Sequence, residues 1–206
     1  MSVLQLNLLD DIPVFEFQSI AEAALKLEAY ETPAWAAQAG LNAVPLLDRV
    51  LDPCVGRGIL AQTALQLGHD VRASDVYRWE YDGPRTIIDF LDPASSILVD
   101  GWEPGSFDVF VNPPFSKACE FIDRAFELGA RKVLCFQRLA WLESDTRREW
   151  WDLEHCRAVH LCAKRATCWG FHIGPEKRKS SSPTPHAWYE FDQMWKGEPL
   201  LKRLYH

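Results

Sequence analysis

Asp52-Pro53-Cys54-Val55-Gly56-Arg57-Gly58 follows the short run Arg49-Val50-Leu51 and leads into a helix-forming stretch, 59–67, that Gly68 stops. A strand that turns through closely spaced glycines into a helix is a building unit of α/β proteins. The two glycines allow the backbone to pass close to a ligand and to take dihedrals other residues avoid. The spacing is G-x-G and lacks the third glycine of the dinucleotide fingerprint. Asp52, four residues before Gly56, also suits a cationic ligand better than a pyrophosphate.

The same rhythm continues on both sides. Downstream, 70–73 reads as a strand ending at Ser74-Asp75, 86–89 as a short strand, and 107–111 as a strand entering Asn112-Pro113-Pro114-Phe115. A helix is expected over 116–128 with Gly129 as its stop, a strand over 132–136, a helix over 145–153, and late strands over 158–162 and 187–191. Upstream, Ser19 and Glu22 form a capping box for a helix over 21–30. Thr32 then reads as an N-cap, with Pro33 at the first position of a helix that runs to about residue 43. The expected fold is α/β: a Rossmann-like, mostly parallel sheet with helices on both faces and N-terminal helices before it. One domain is expected over 1–206, with a helical extension at 1–45 and a long irregular loop at 163–186.

Composition is that of an ordinary globular chain, 48% apolar and 25% charged. No apolar run is long enough to span a bilayer. The start, 1–11, has no basic region and carries Asp10-Asp11, so it does not read as a signal peptide, and a cytoplasmic location is expected. The six cysteines form no C-x-x-C pair and match no zinc spacing, so free thiols and no metal are expected. Net charge is −7, yet residues 157–182 hold six cations against one acid, a local +5 that leaves the remainder at −12. A basic segment on an acidic body can contact phosphates locally while the body discourages loose binding.

The candidate chemistry lies at strand ends. Asp75 is placed to accept from the two hydroxyls of a ribose. Asp89, ahead of its neighbour Asp92, is placed to accept from an adenine amino group, with Phe90 covering the ring. Asn112-Pro113-Pro114-Phe115 is the most specific motif. Its prolines fix the backbone, the Asn112 side-chain oxygen and the Pro113 carbonyl can accept from one exocyclic NH2, and Phe115 can stack on a flat acceptor.

These residues resemble the class I amino-methyltransferases with an N-P-P-F/Y motif, and within them the small adenine-N6 DNA methyltransferase-like proteins of phages and prophages. The resemblance runs from about residue 32 to 191. Thr32-Pro33 with Trp35 resembles the T-P motif near the methionine end of the cofactor. Asp52 to Gly58, including Pro53, resembles the acid-P-x-x-G-x-G loop. Ser74-Asp75 and Asp89-Phe90-Leu91 resemble the second and third cofactor motifs. Arg138-Leu139-Ala140-Trp141-Leu142-Glu143 and Ala187-Trp188-Tyr189-Glu190-Phe191 resemble later family segments. The order, cofactor motif before N-P-P-F, is the gamma arrangement.

The resemblance implies S-adenosylmethionine as cofactor and direct methyl transfer to an amino group, with DNA as partner and adenine N6 as acceptor. Adenine in RNA, cytosine N4 and a protein glutamine are acceptors of the same chemistry, and a non-catalytic partner subunit is a further alternative. No separate target-recognition domain is expected within these residues. The 163–186 stretch is expected to substitute for one, which makes Lys164, Arg165, Trp169, Lys177, Arg178 and Lys179 candidate substrate contacts, together with Arg138. A nicotinamide oxidoreductase would need the missing third glycine and leaves Asn112-Pro113-Pro114-Phe115 unexplained.

Overall fold

The computed structural model describes residues 17–152, 155–178 and 184–205. Its centre is an eight-stranded sheet. In chain order the strands are β2 (Arg49–Asp52), β3 (Asp70–Asp75), β4 (Thr86–Ile87), β5 (Asp108–Val111), β6 (Lys132–Arg138), β7 (Cys156–Cys162), β9 (His186–Asp192) and β10 (Leu200–Leu204). They lie in the order β10-β7-β9-β6-β5-β2-β3-β4. Only β9 runs against its neighbours, β6 and β7; every other pairing in this sheet is parallel. A separate two-stranded antiparallel ribbon joins β1 (Tyr30–Glu31) to β8 (Trp169–Gly170).

Side chains alternate across a strand, so neighbouring residues feed opposite faces. Val109, Val111, Val133, Cys135, Tyr189 and Phe191 face one way, under α4 (Ala118–Glu127), which contributes Phe121, Ile122, Ala125 and Phe126. Phe110, Leu134, Phe136 and Trp188 face the other way, under α2 (Ala34–Ala43) and α3 (Ile59–Gln66). Both faces are buried, which is why β5 and β6 read as continuous apolar runs rather than alternating ones. Trp188 is the keystone of the second layer: fully buried, 4.8 Å from the Phe110 ring and 4.7 Å from Phe136, with Nε1 donating to the Ala36 carbonyl at 2.8 Å. Gly40 lets α2 lie directly on it, since a Cβ there would meet the indole at 2.8 Å.

Four local expectations are corrected. The helix read over 21–30 spans only Ile20–Lys26. Ser19 does cap it, accepting from the Glu22 amide, but the Glu22 carboxylate reaches back to Gln18 rather than to Ser19. Tyr30 leaves the helix because its backbone pairs with β8. The cap of α2 is Pro33, in extended conformation, not Thr32. The segment 145–153 forms a 3-10 turn, Asp145–Arg147, and then one helical turn, α5 (Arg148–Trp151); Ser144 pairs with Thr146 instead of capping it, and 153 is outside the described residues. Strand β10 was unexpected, because as an edge strand with an exposed face it carries no buried alternation. Among its described residues, the 163–186 stretch is irregular apart from β8, a turn at Pro175–Lys177 and His186, which begins β9; 179–183 lie outside the described residues. Among the described residues no helix is long and apolar enough to cross a membrane.

Candidate functional site

The carboxyl ends of β2, β3 and β5 open onto a cavity of about 460 Å³. Open parallel sheets bind ligands at this edge. Its floor is the glycine loop after β2, where Pro53, Cys54, Val55, Gly56 and Arg57 reach the wall. Asp75, Asp89, Phe90, Asn112 and Pro114 line it from the following strand ends. Its roof is the N-terminal arm: Phe17 and the stretch from Lys26 to Thr32, with Phe171 beyond β8 closing one side.

Asp75 ties the floor together. Its Oδ2 accepts from the Gly56 amide at 2.9 Å, and its Oδ1 from the Tyr77 amide and the Trp79 indole, each at 3.0 Å. Three of about four acceptor positions are thus used by the chain itself, leaving little for the two ribose hydroxyls expected there. Burial raises its pKa to about 6 in spite of these donors. Gly56 and Gly58 both take positive φ, 52° and 87°. Gly58 does not reach the cavity: a Cβ there would meet the Tyr81 ring at 2.3 Å, so its bareness serves Tyr81 rather than a ligand.

Asp52 lies behind the wall and is 1% exposed. Oδ1 accepts from the Cys54 amide at 3.2 Å, and Oδ2 has no partner. Burial first, then the charge of Asp75, lifts its pKa to about 8. A carboxyl at 3.8 unfolded and about 8 folded binds more protons in the native state between those values, so stability falls as pH rises through that window. Asp52→Asn removes the cost of ionisation. Its melting temperature relative to the parent should therefore climb steadily from pH 4 to pH 8, and a flat difference would mean that Asp52 ionises normally.

Asp89 lines the cavity beyond the end of β4 and accepts from the Leu91 amide at 2.9 Å. Its neighbour Asp92 caps the 3-10 helix Pro93–Val99 through Ala94. Phe90 touches the cavity but is 1% exposed and packs on Phe121 at 5.2 Å. Thr32 lines the cavity with its hydroxyl buried and unpartnered, whereas Pro33 stays in the helix cap.

Asn112 is held from outside its own loop. Its Nδ2 donates to the Tyr30 carbonyl at 2.8 Å, while its Oδ1 is buried without a partner. Because the carbonyl can only accept, it fixes which end of the amide is nitrogen. Glu28, at φ 50°, adds a second tie by accepting from the Ser116 amide at 2.9 Å. Pro113 is buried and off the cavity wall. Phe115 is also off it. It borders a smaller recess with Tyr30, Arg138, Cys168, Thr184 and His186, where Tyr30 stacks on it at 5.3 Å and the Arg138 guanidinium lies over its ring at 4.4 Å.

The basic stretch divides. Lys164 and Arg165 are exposed just after β7, Lys164 lying 5.7 Å over Trp35. Trp169 is opposite Glu31 in the ribbon and away from the cavity wall. Arg178 pairs with Glu31 at 3.6 Å, and so does Arg57. Lys177 is exposed, and Lys179 lies outside the described residues. Sequence reading missed Tyr30, Glu31, Trp79 and Phe171. Their roles come from contacts across the chain, and nothing in the local pattern signals them.

No protein-family model matches the chain, and no curated protein matches it by sequence. Solved structures do. A candidate RNA methyltransferase from Pyrococcus horikoshii is 18% identical with a TM-score of 0.52, covering 88% of this chain and 92% of that one. A predicted O-methyltransferase from Agrobacterium tumefaciens is 12% identical with a TM-score of 0.52, covering 82% and 83%. The Mtq2–Trm112 complex of E. cuniculi, responsible for methylation of the termination factor eRF1, gives 12% identity and a TM-score of 0.52, covering 81% and 99%. The fold is therefore the Rossmann-like methyltransferase fold, as the sequence led us to expect.

Proposed function

We propose that this protein is an S-adenosylmethionine-dependent methyltransferase acting on an exocyclic amino group, with adenine N6 of DNA as the acceptor. The observation that carries this reading is the Asn112 amide. Its nitrogen is committed to the Tyr30 carbonyl, and its buried oxygen is left without a donor. A buried acceptor without a partner costs stability, about 1–3 kcal/mol, and a ligand N–H relieves that cost. A hydroxyl acceptor could also donate, but it brings one hydrogen and needs a base to remove it. An amino group needs none, because its proton can leave after transfer.

The cavity fits the cofactor. Its size is within the range of small-molecule sites, and it carries buried, unpartnered oxygen at Thr32, with that of Asp52 just behind the glycine loop. The cofactor supplies a methyl group on a positively charged sulfur. Thr32, Pro53 and Gly56 would hold its methionine end, Asp75 its ribose through the remaining acceptor position, and Asp89 with Phe90 its adenine. Asp52 does not reach the cavity wall, and a cation bound beyond the glycine loop would lower its raised pKa.

Asn112 accepts one hydrogen of the acceptor's amino group through its buried, unpartnered Oδ1; Pro113 stands off the cavity wall and is given no part. This bond draws the nitrogen toward pyramidal geometry and frees its lone pair from the ring. It also stabilises the positive charge that grows on it. Holding the group in line supplies much of the remaining acceleration. A base inside a duplex must be extruded to reach this depth.

The test is transfer of a labelled methyl from S-adenosylmethionine to unmethylated DNA, to RNA and to a cell protein extract, assayed separately. Label in DNA that digests to N6-methyladenine is the expected result. Label confined to RNA or protein would keep the chemistry and replace the acceptor. Cofactor binding with no label in any arm would point to a partner-dependent or non-catalytic role.

A further inference from the structure

The two edges of the large sheet differ. Strand β4 closes one of them with only Thr86–Ile87, and so short a strand is a poor template for another. Strand β10 forms the other edge over five residues, Leu200–Leu204. Among the described residues β10 pairs only with β7. Leu204 is buried, but Leu200 to Arg203 are exposed, Leu201 at 72%. An open edge of this length that carries an apolar side chain is a ready partner for a further strand.

The direction of the backbone groups follows from one bond. The Leu204 carbonyl accepts from the Ala163 amide at 2.9 Å, toward β7. Backbone groups alternate in direction along a strand, so those of Leu200 and Lys202 also face β7. The N–H and C=O groups of Leu201 and Arg203 face the open edge. Register with β7 sets Leu201 beside Val159, on the face that carries α4, and puts Lys202 on the α2 face with Leu204.

We propose that β10 pairs antiparallel with β10 of a second copy of this chain, about a two-fold axis at Leu201. A two-fold contact uses the same surface on both copies. With the axis there, Leu201 lies opposite itself and exchanges both backbone bonds, and the Arg203 amide donates to the Pro199 carbonyl of the other copy. Pro199 has no N–H and ends the ladder. Lys202 lies opposite Leu200 and diagonal to Glu198 of the other copy, within reach of long side chains. An acid before the apolar pair and a base after it make this strand complementary to itself when reversed. An axis at Lys202 or at Arg203 would instead set like charges face to face, which is destabilising. Since β4 offers no comparable edge, pairing stops at two copies. Five strand spacings, about 24 Å, separate β10 from β2. Both cavities therefore stay open, facing opposite ways along the joined sheet, and the pairing is independent of the transfer chemistry.

Sedimentation velocity of the full chain over a range of concentrations tests this, with hydrogen exchange read alongside. A monomer–dimer equilibrium is expected, in which exchange of the Leu201 and Arg203 amides slows as the dimer forms. Leu201→Lys sets two charges against each other at the axis and should raise the dimer dissociation constant about tenfold or more. Lys202→Glu should weaken the dimer a few-fold, and Glu198→Lys added to it should recover the parent value. Glu198, Leu201 and Lys202 are all exposed, so melting curves recorded where the parent is monomeric should not differ. A chain that stays monomeric at its highest soluble concentration overturns the proposal. So does a dimer indifferent to Leu201→Lys or to Lys202→Glu, or one that the added Glu198→Lys fails to recover.

Discussion

Asn112→Ala is expected to lower methyl transfer by about two to three powers of ten, the loss seen when one preorganised hydrogen-bonding group is removed from a developing charge. Cofactor affinity should change little. Apart from Thr32, which comes from the N-terminal arm, the residues assigned to the cofactor approach from the β2, β3 and β4 side, and none uses the Asn112 amide. The loss should therefore fall in kcat, with the cofactor dissociation constant within a few-fold of the parent. Asn112→Asp separates geometry from chemistry. It keeps the acceptor oxygen but replaces the donor to the Tyr30 carbonyl with a second oxygen, setting two acceptors against each other. It should be as impaired as Asn112→Ala. Single-turnover rates at saturating cofactor give the measurement, and a variant that keeps a tenth or more of the parent rate would remove Asn112 from the mechanism.

Trp188→Ala should destabilise the fold by about 3–5 kcal/mol, the range for deleting a large buried aromatic. That is a large part of the 5–15 kcal/mol that holds a typical domain together. The ring fills the layer between α2 and the sheet, against Phe110 and Phe136, and Gly40 has no side chain with which to fill the space left behind. Trp188→Phe keeps most of the volume and loses the bond to the Ala36 carbonyl, so about 1–2 kcal/mol is expected. Urea unfolding at equilibrium gives both values. Equal losses for the two variants would mean that the hydrogen bond, not the packing, carries the effect.

Legibility followed the range of the interaction. Strands β5 and β6 and helix α4 could be read from their sequences because burial on both faces writes itself into local composition. The glycine loop and the N-P-P-F turn could be read because backbone constraints demand particular residues there. What escaped was set by distant contacts. Tyr30 continues a helical pattern yet leaves the helix to pair with Gly170. Phe171 has no local feature that assigns it to a cavity wall. Gly58 and Phe115 were each read toward a ligand, and each touches a ring of the chain itself, Tyr81 and Tyr30. Arg178 sits in a basic run but is cancelled by Glu31, which a count of charges along the chain cannot reveal.

The bond between Asn112 and Tyr30 crosses 82 residues of sequence, and the arm that supplies it lies upstream of all eight strands of the large sheet. Folding and competence are therefore separable by a single cut. A chain shortened to begin at Thr32 would keep all eight strands and both helical layers, α2 and α3 on one face and α4 on the other, with the Asn112 amide free to turn over. The product would be a folded shell that melts as a cooperative unit yet has lost its chemical polarity. Truncation libraries screened for solubility alone would enrich for such shells.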